Sequence, residues 1–304
     1  MEPSELPAVS LACKQRLAQH YGPSIADWLN GAPRLLKKAA DRFALRLLGY
    51  HDAGHASVLA TALDQQGRTL LVKVWPDRDR FEREWRVLRL WYPSPDDLLV
   101  AVDPELAAAV LVIVGGIPGG APRPRGDSAL VAAAIHRAHL VGRHNAHELK
   151  VPALRDYLHE EVLPRIHRRI LITSRPDLAQ LVVPYLQNLV EDRSRETVLH
   201  ADLYRENIPF TAPGEPILLD PLPMRGDPIF DWAFWCVYYD LGHRMDERLS
   251  LVQQIPGAPL QQLLAWVLLL SVDGLLFYEE THDPRFELMT RVLAGLLHRT
   301  EAPE

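Results

Sequence analysis

The sequence predicts an α+β chain of two lobes, a small antiparallel-sheet lobe followed by a larger helical one. Short apolar runs separated by turn signals are concentrated before residue 115. Apolar residues at helical spacing dominate the rest of the chain. Between them, Gly115-Gly116-Ile117-Pro118-Gly119-Gly120-Ala121-Pro122-Arg123-Pro124 marks the sharpest change of composition. The expected division is therefore 1–115, a sheet lobe with a helical N-terminal extension, and 116–304, a helical lobe.

In order, residues 7–20 and 25–36 carry apolar residues at three- and four-residue spacings and read as helices, interrupted at Tyr21-Gly22-Pro23. Residues 45–48, 58–63 and 69–75 are short apolar runs bounded by the turn signals Asp52-Ala53-Gly54-His55-Ala56-Ser57 and Asp64-Gln65-Gln66-Gly67-Arg68, and read as three antiparallel strands. Phe81, Trp85, Leu88 and Trp91 place an amphipathic helix over 80–91. Residues 98–103 and 109–114 read as two further strands. Helices are expected over 128–144, 152–174, 177–191, 231–240, 258–278 and 285–298, with short strands at 197–200 and 216–220. No internal repeat is present.

At 304 residues, 48% hydrophobic and 24% charged, the chain has the balance of a folded globular protein. A net charge of −6 opposes a general nucleic-acid binder. The longest apolar candidate, residues 263–272, stops at Asp273, short of the roughly 20 residues of a membrane span. The first ten residues lack the basic start and apolar core of a signal peptide. Two cysteines, Cys13 and Cys236, make no disulfide framework. These features predict a cytoplasmic monomer or homodimer without nucleic-acid or membrane partners.

One stretch carries chemistry. His200-Ala201-Asp202-Leu203-Tyr204-Arg205-Glu206-Asn207 fits H-x-D-L-x-x-x-N, the catalytic-loop pattern of protein kinases with Ala in place of Arg. Phosphoryl transfer needs a carboxylate to orient a hydroxyl and accept its proton, the role open to Asp202, and an amide oxygen to hold Mg²⁺, the role open to Asn207. An ordinary polar loop is the competing reading. Asp220, ending the apolar run Pro216-Ile217-Leu218-Leu219, stands where a second metal carboxylate is delivered, and Mg²⁺ needs only one or two carboxylates besides phosphate oxygens. Lys73 lies inside an apolar strand, where an ammonium is costly without a partner. It suits a nucleotide-phosphate clamp paired with a glutamate of the next helix, Glu84 or Glu82; a solvent-facing strand lysine is the alternative. Only Gly54 stands between the first two strands, so the phosphate-covering loop is the weakest element; amides from Gly54 to Ser57, with the Ser57 hydroxyl, are its candidates. There is no Walker A pattern.

On these residues the chain resembles the aminoglycoside/hydroxyurea phosphotransferases, the group that includes streptomycin 6-kinase. Tyr21-Gly22 and Trp28-Leu29 resemble that family's helical N-terminal segment. Gly54-His55-Ala56-Ser57-Val58 is similar to its Gly-x-x-Ser-x loop, and Glu84-Trp85-Arg86-Val87-Leu88-Arg89-Leu90-Trp91 to its Glu-x-x-x-Leu-x-Leu-Trp helix, which favours Glu84. Val198-Leu199-His200-Ala201-Asp202-Leu203, Asp220-Pro221-Leu222-Pro223 and Gly226-Asp227-Pro228-Ile229-Phe230-Asp231 resemble its most specific blocks. The resemblance implies a two-lobed protein-kinase-like fold and ATP- (or GTP-) and Mg²⁺-dependent phosphorylation of a small-molecule hydroxyl. It implies Asp202 as base, Asn207 and Asp220 as metal ligands, Lys73 as clamp, and Asp227 and Asp231 as braces. Three departures are visible. Ala201 replaces a usual Gly, Leu222 a frequent Lys, and Val114-Gly115, at the nucleotide-binding hinge, the frequent Glu-Arg.

Two alternatives compete: a metabolic kinase of a sugar or natural-product alcohol, and a pseudokinase that keeps only the fold. Retention of Lys73, Glu84, Asp202, Asn207 and Asp220 opposes the latter. His136, His139, His144 and His147 suggest either a metal site or a polar helix end. From Asp227 to Glu304, twelve acidic residues against five basic ones leave −7. In the resembled family the acceptor lies against the C-terminal helices, so Asp273, Glu279, Glu280 and Asp283 are the expected acidic wall for a cationic acceptor.

Overall fold

The computed structural model describes residues 6–51, 54, 56–173, 175–182, 189, 195–255 and 259–301. The chain divides into two units. Unit 1 spans Met1–Arg123 with Pro209–Glu215, and unit 2 spans Pro124–Ile208 with Pro216–Glu304. The division falls after Arg123, later than the expected break after residue 115. The glycine-rich segment stays with unit 1 because it is tied to Pro209–Glu215 of the same unit: Ala121 N donates to Phe210 O at 2.7 Å, and a Cβ on Gly120 would lie 2.7 Å from Phe210 N.

Unit 1 opens with α1 (Leu11–Tyr21), whose first turn is capped by Ser10 Oγ accepting from Cys13 N at 3.1 Å, and α2 (Ala26–Arg42). Five strands follow, β1 (Arg46–His51), β2 (Val58–Leu63), β3 (Thr69–Val74), β4 (Leu99–Asp103) and β5 (Ala108–Val112), all antiparallel in the order β1-β2-β3-β5-β4. The β2–β3 turn is fixed by Asp64 Oδ1, which accepts from Gln66 N at 2.9 Å and Arg68 N at 2.8 Å. Between β3 and β4 lies α3 (Arg78–Trp91), capped by Asp77. Phe81, Glu84, Val87 and Leu88 form its buried face, at the helical spacing read from the sequence. Val9, Cys13 and Leu17 of the N-terminal segment share a core with Leu36 of α2 and with Leu47, Val58, Ala60 and Val72 of the sheet.

Unit 2 begins with α4 (Asp127–Asn145), α5 (Leu154–Tyr157), α6 (Leu163–Thr173) and α7 (Pro176–Val182). The helix expected over 152–174 starts at Leu154 and passes through a π turn at Leu158–Val162. Most of the stretch expected as helix over 183–191 lies outside the described residues. Strand β6 (Thr197–Leu199) pairs with β7 (Met224–Gly226). Residues 216–220, expected as a strand, form none: their backbone groups bond to the neighbouring loop instead of a ladder. Helices α8 (Ile229–Tyr238), α9 (Met245–Gln253), α10 (Leu260–Glu280) and α11 (Phe286–Glu301) complete the unit. Helix α9 has no counterpart in the sequence reading. Its Arg248, fully buried, donates to Cys236 O at 2.8 Å and Asp240 O at 3.2 Å, placing a cation at the C-terminal end of α8.

Helix α10 is packed by α6, α8 and α11. By length and hydropathy it could cross a bilayer, which the expectation based on Asp273 had excluded, but 72% of its most apolar window is buried inside the protein. Asp273 itself is buried, held by Arg165 and Arg169.

Helix α4 crosses β6 at Gly142. A Cβ there would lie 2.7 Å from Thr197 Oγ1 and 2.9 Å from the backbone nitrogen of Val198. Helix propensity favours alanine by about 1 kcal/mol, but overpacking costs about 1–3 kcal/mol and a strand backbone cannot swing aside. Gly142→Ala is therefore expected to lower stability by about 1 kcal/mol, and by no more than about 2, in urea unfolding.

Candidate active site

In unit 1, Lys73 lies on β3 opposite Leu59 and Ala109. It is 2% exposed and Glu84 1%. Lys73 Nζ donates to Glu84 Oε1 at 2.6 Å, and Trp75 Nε1 donates to Glu84 Oε2 at 2.9 Å. Both carboxylate oxygens are thus engaged, and Nζ also lies 4.6 Å from the Trp75 ring centroid. Glu82, the other candidate, faces outward and pairs with Arg86.

Gly54 is demanded by close approach: a Cβ there would lie 2.2 Å from the carbonyl oxygen of Ser57. The hydroxyl of Ser57, expected to meet phosphate, belongs to a residue only 3% exposed, which lines a small cavity with Val9, Ser10, Cys13 and Tyr50. Asp52, Ala53 and His55 lie outside the described residues. Val114 is buried in a short turn, Val114–Gly116.

In unit 2 the catalytic-loop candidate leaves β6 at His200. Asp231, in the first turn of α8, receives two successive amides: His200 N donates to Oδ2 and Ala201 N to Oδ1, both at 2.8 Å. His139 Nε2 lies 2.9 Å from Asp231 Oδ2 and is the donor there, because a carboxylate can only accept. The imidazole of His200 completes the turn. Its Nδ1 accepts from Asp202 N at 3.2 Å and its Nε2 donates to Leu219 O at 2.8 Å. This is the neutral tautomer, and burial pushes its pKa down to about 4 despite the nearby Asp231.

Asn207 Nδ2 donates to the Asp202 carbonyl at 2.9 Å and to Asp202 Oδ2 at 2.8 Å. That orientation leaves the Asn207 amide oxygen as the candidate metal-binding atom. Three further bonds bring the Asp220 segment to the same loop: Leu219 N to Asn207 O and Leu222 N to His200 O, each 2.8 Å, and the His200 imidazole to Leu219 O. Asp202, Asn207 and Asp220 are therefore gathered by one bond network. Asp227 caps α8 through Ile229 N and binds Arg195. Ala201 and Asp220 have φ of 58° and 53°, the left-handed region that favours glycine.

The histidines of α4 do not act together. His139 is buried as a support of Asp231, while His144 is exposed. Among the described residues no group of three or more His, Cys, Asp and Glu is placed to hold a metal. Nor do the four carboxylates of the expected acidic wall present unpaired charge. Asp273 binds Arg165 and Arg169, Glu280 binds Arg168 and Arg169, Glu279 lies 3.7 Å from Arg175, and Asp283 binds Arg285. The arginines come mostly from α6 and the turn after it, which a count over the C-terminal stretch leaves out.

No family model matches the chain. It is 23% identical over 282 residues to a streptomycin 6-kinase of Streptomyces glaucescens, covering 88% of this chain and 89% of that one. It is 28% identical over 228 residues to a streptomycin 6-kinase of Streptomyces griseus, covering 71% of each. Among solved structures, the choline kinase LicA of Streptococcus pneumoniae superposes with a TM-score of 0.57 at 16% identity, over 87% of this chain and 98% of that one. An aminoglycoside 2'-phosphotransferase-IIIa, solved as its GDP complex, gives 0.57 at 11% identity, over 88% and 98%. The solved structures give the fold as that of the protein-kinase-like phosphotransferases. With the two streptomycin 6-kinases as its relatives, the chain is a phosphotransferase with an alcohol group as acceptor, and it is similar to those streptomycin 6-kinases over most of its length.

Two outcomes follow from the His200 turn. The unfolded imidazole titrates near 6.5 and the folded one near 4. Between these values the unfolded chain binds more protons, so stability is full above about pH 6.5 and is lost as pH falls toward 4, by an amount on the order of 3 kcal/mol. Urea unfolding at a series of pH values measures this. Ala201→Gly relieves the left-handed strain of about 1–2 kcal/mol, less the extra freedom of glycine in the unfolded chain, about 0.4–1 kcal/mol. Its melting temperature is expected to rise with turnover retained.

Proposed function

We propose that this chain transfers the γ-phosphoryl group of ATP, or of GTP, to a hydroxyl of an aminoglycoside-type antibiotic. The observation that carries the reading is the convergence of Asp202, Asn207 and Asp220 through the His200 turn. Support for the acceptor class comes from the two streptomycin kinases among the relatives. The carboxylates of α10 and the turn after it, each beside an arginine, do not add to it.

In this reading Asp202 orients the acceptor hydroxyl and takes its proton as the oxygen bonds to the γ-phosphorus and the bond to the departing nucleoside diphosphate breaks. The all-oxygen donors Asn207 Oδ1 and Asp220 fit Mg²⁺. When bound, Mg²⁺ neutralises phosphate charge. Asn207 Nδ2, donating to Asp202 Oδ2, keeps the carboxylate aimed. Lys73, oriented by Glu84, is the phosphate clamp, and the amides near Gly54 cover the phosphates. Val114 lies at the hinge that receives the base.

A nucleotide-consumption screen across aminoglycosides, peptide antibiotics, hydroxyurea and simple polyols tests this. Turnover is expected with an aminoglycoside. Asp202→Asn should lower that turnover by about 10²–10⁴ while ATP affinity stays close to wild type. Turnover confined to polyols removes the antibiotic assignment, and a fully active Asp202→Asn removes the base.

A further inference from the structure

We infer that α1 is a brace for the nucleotide loop, with Arg16 and Tyr21 as positioning residues. This rests on reading the Gly54–Ser57 segment as the loop that covers the phosphates.

Two side chains of α1 reach across more than thirty residues of sequence to this loop. Arg16 Nε donates to Gly54 O at 3.3 Å, and Tyr21 OH donates to Ala56 O at 2.8 Å. In a planar trans peptide the N–H points opposite to the carbonyl that precedes it. Drawing the Ala56 carbonyl toward α1 therefore turns the Ser57 amide away from α1. The brace acts on carbonyls and thereby sets the direction of the donor that an anion would meet.

The helix is itself firmly held. Ser10 caps it, Cys13 and Leu17 are buried in the core, and Tyr50 OH donates to Pro7 O at 2.7 Å. At its C-terminal end, Arg80 Nη1 donates to His20 Nε2 at 2.8 Å. Arg80 belongs to α3, the helix that carries Glu84. One helix thus fixes the loop and the helix behind the Lys73–Glu84 pair together. Burial raises the pKa of the Tyr21 phenol, with Arg80 opposing, so the phenol keeps the proton it donates.

The test uses the full chain with Tyr21→Phe and Arg16→Met, singly and together, and with Lys73→Met as reference. The readouts are ATP dissociation constant, acceptor KM, kcat and melting temperature. Each brace variant is expected to weaken ATP binding by about two- to tenfold, as one lost hydrogen bond does. Acceptor KM should be unchanged, and Arg16→Lys, which retains a donor, should recover part of the loss. If Lys73→Met weakens ATP binding while the double brace variant stays within about twofold of wild type, the brace is wrong. A lower melting temperature with unchanged ATP affinity likewise makes α1 merely structural. If Lys73→Met also leaves ATP binding intact, the nucleotide reading of unit 1 fails and takes the brace with it.

Discussion

Four hydrogen bonds converge on His200 and tie together the segments that carry the candidate catalytic constellation. Its amide and the next one are received by Asp231, its carbonyl holds Leu222, and its ring ties Asp202 to Leu219. The ring must be neutral to do both of its tasks, because one nitrogen accepts and the other donates. Burial enforces that state. His139 stands behind the arrangement by orienting Asp231. A histidine in such a motif is a hinge pin for two backbone segments, and the candidate base it presents, Asp202, stands two residues on.

The buried pair in unit 1 follows a different logic. A lysine and a glutamate, both nearly inaccessible, gain little net stability from each other, since desolvation opposes their attraction. What they gain is a defined direction. Trp75 occupies the second oxygen of Glu84 and places its ring beside the ammonium, so neither partner has an alternative rotamer at equal cost. The arrangement specifies geometry at the expense of stability that an apolar pair of similar volume would give.

Much of this was readable along the chain because it is local. The hairpin of β2 and β3, the amphipathic α3 with Glu84 on its inward face, and the Asp202–Asn207 spacing all lie within short windows whose chemistry is self-contained. What could not be read was non-local. Residues 216–220 form an apolar run like a buried strand's, but Leu219 bonds to a loop, which an apolar run alone cannot reveal. His139 reads as part of a metal cluster or of a polar helix end because its partner is 92 residues away. The arginine partners of the expected carboxylate wall were hidden for the same reason: Arg165 reaches Asp273 across 108 residues. Ala201 is the intermediate case, since its departure from glycine is plain in the sequence but acquires an energetic meaning only with its φ of 58°.

Helix α10 has a consequence for how this protein dies rather than how it works. Its 21 residues are apolar enough to match a bilayer span and are silent while α6, α8 and α11 cover them. Global unfolding releases that stretch into water all at once, and chains exposing it have a faster route to one another than back to the native state. Loss of this protein on heating is then governed by the rate at which the covering helices part, so its practical lifetime is a kinetic quantity and its apparent melting temperature falls as the scan is slowed.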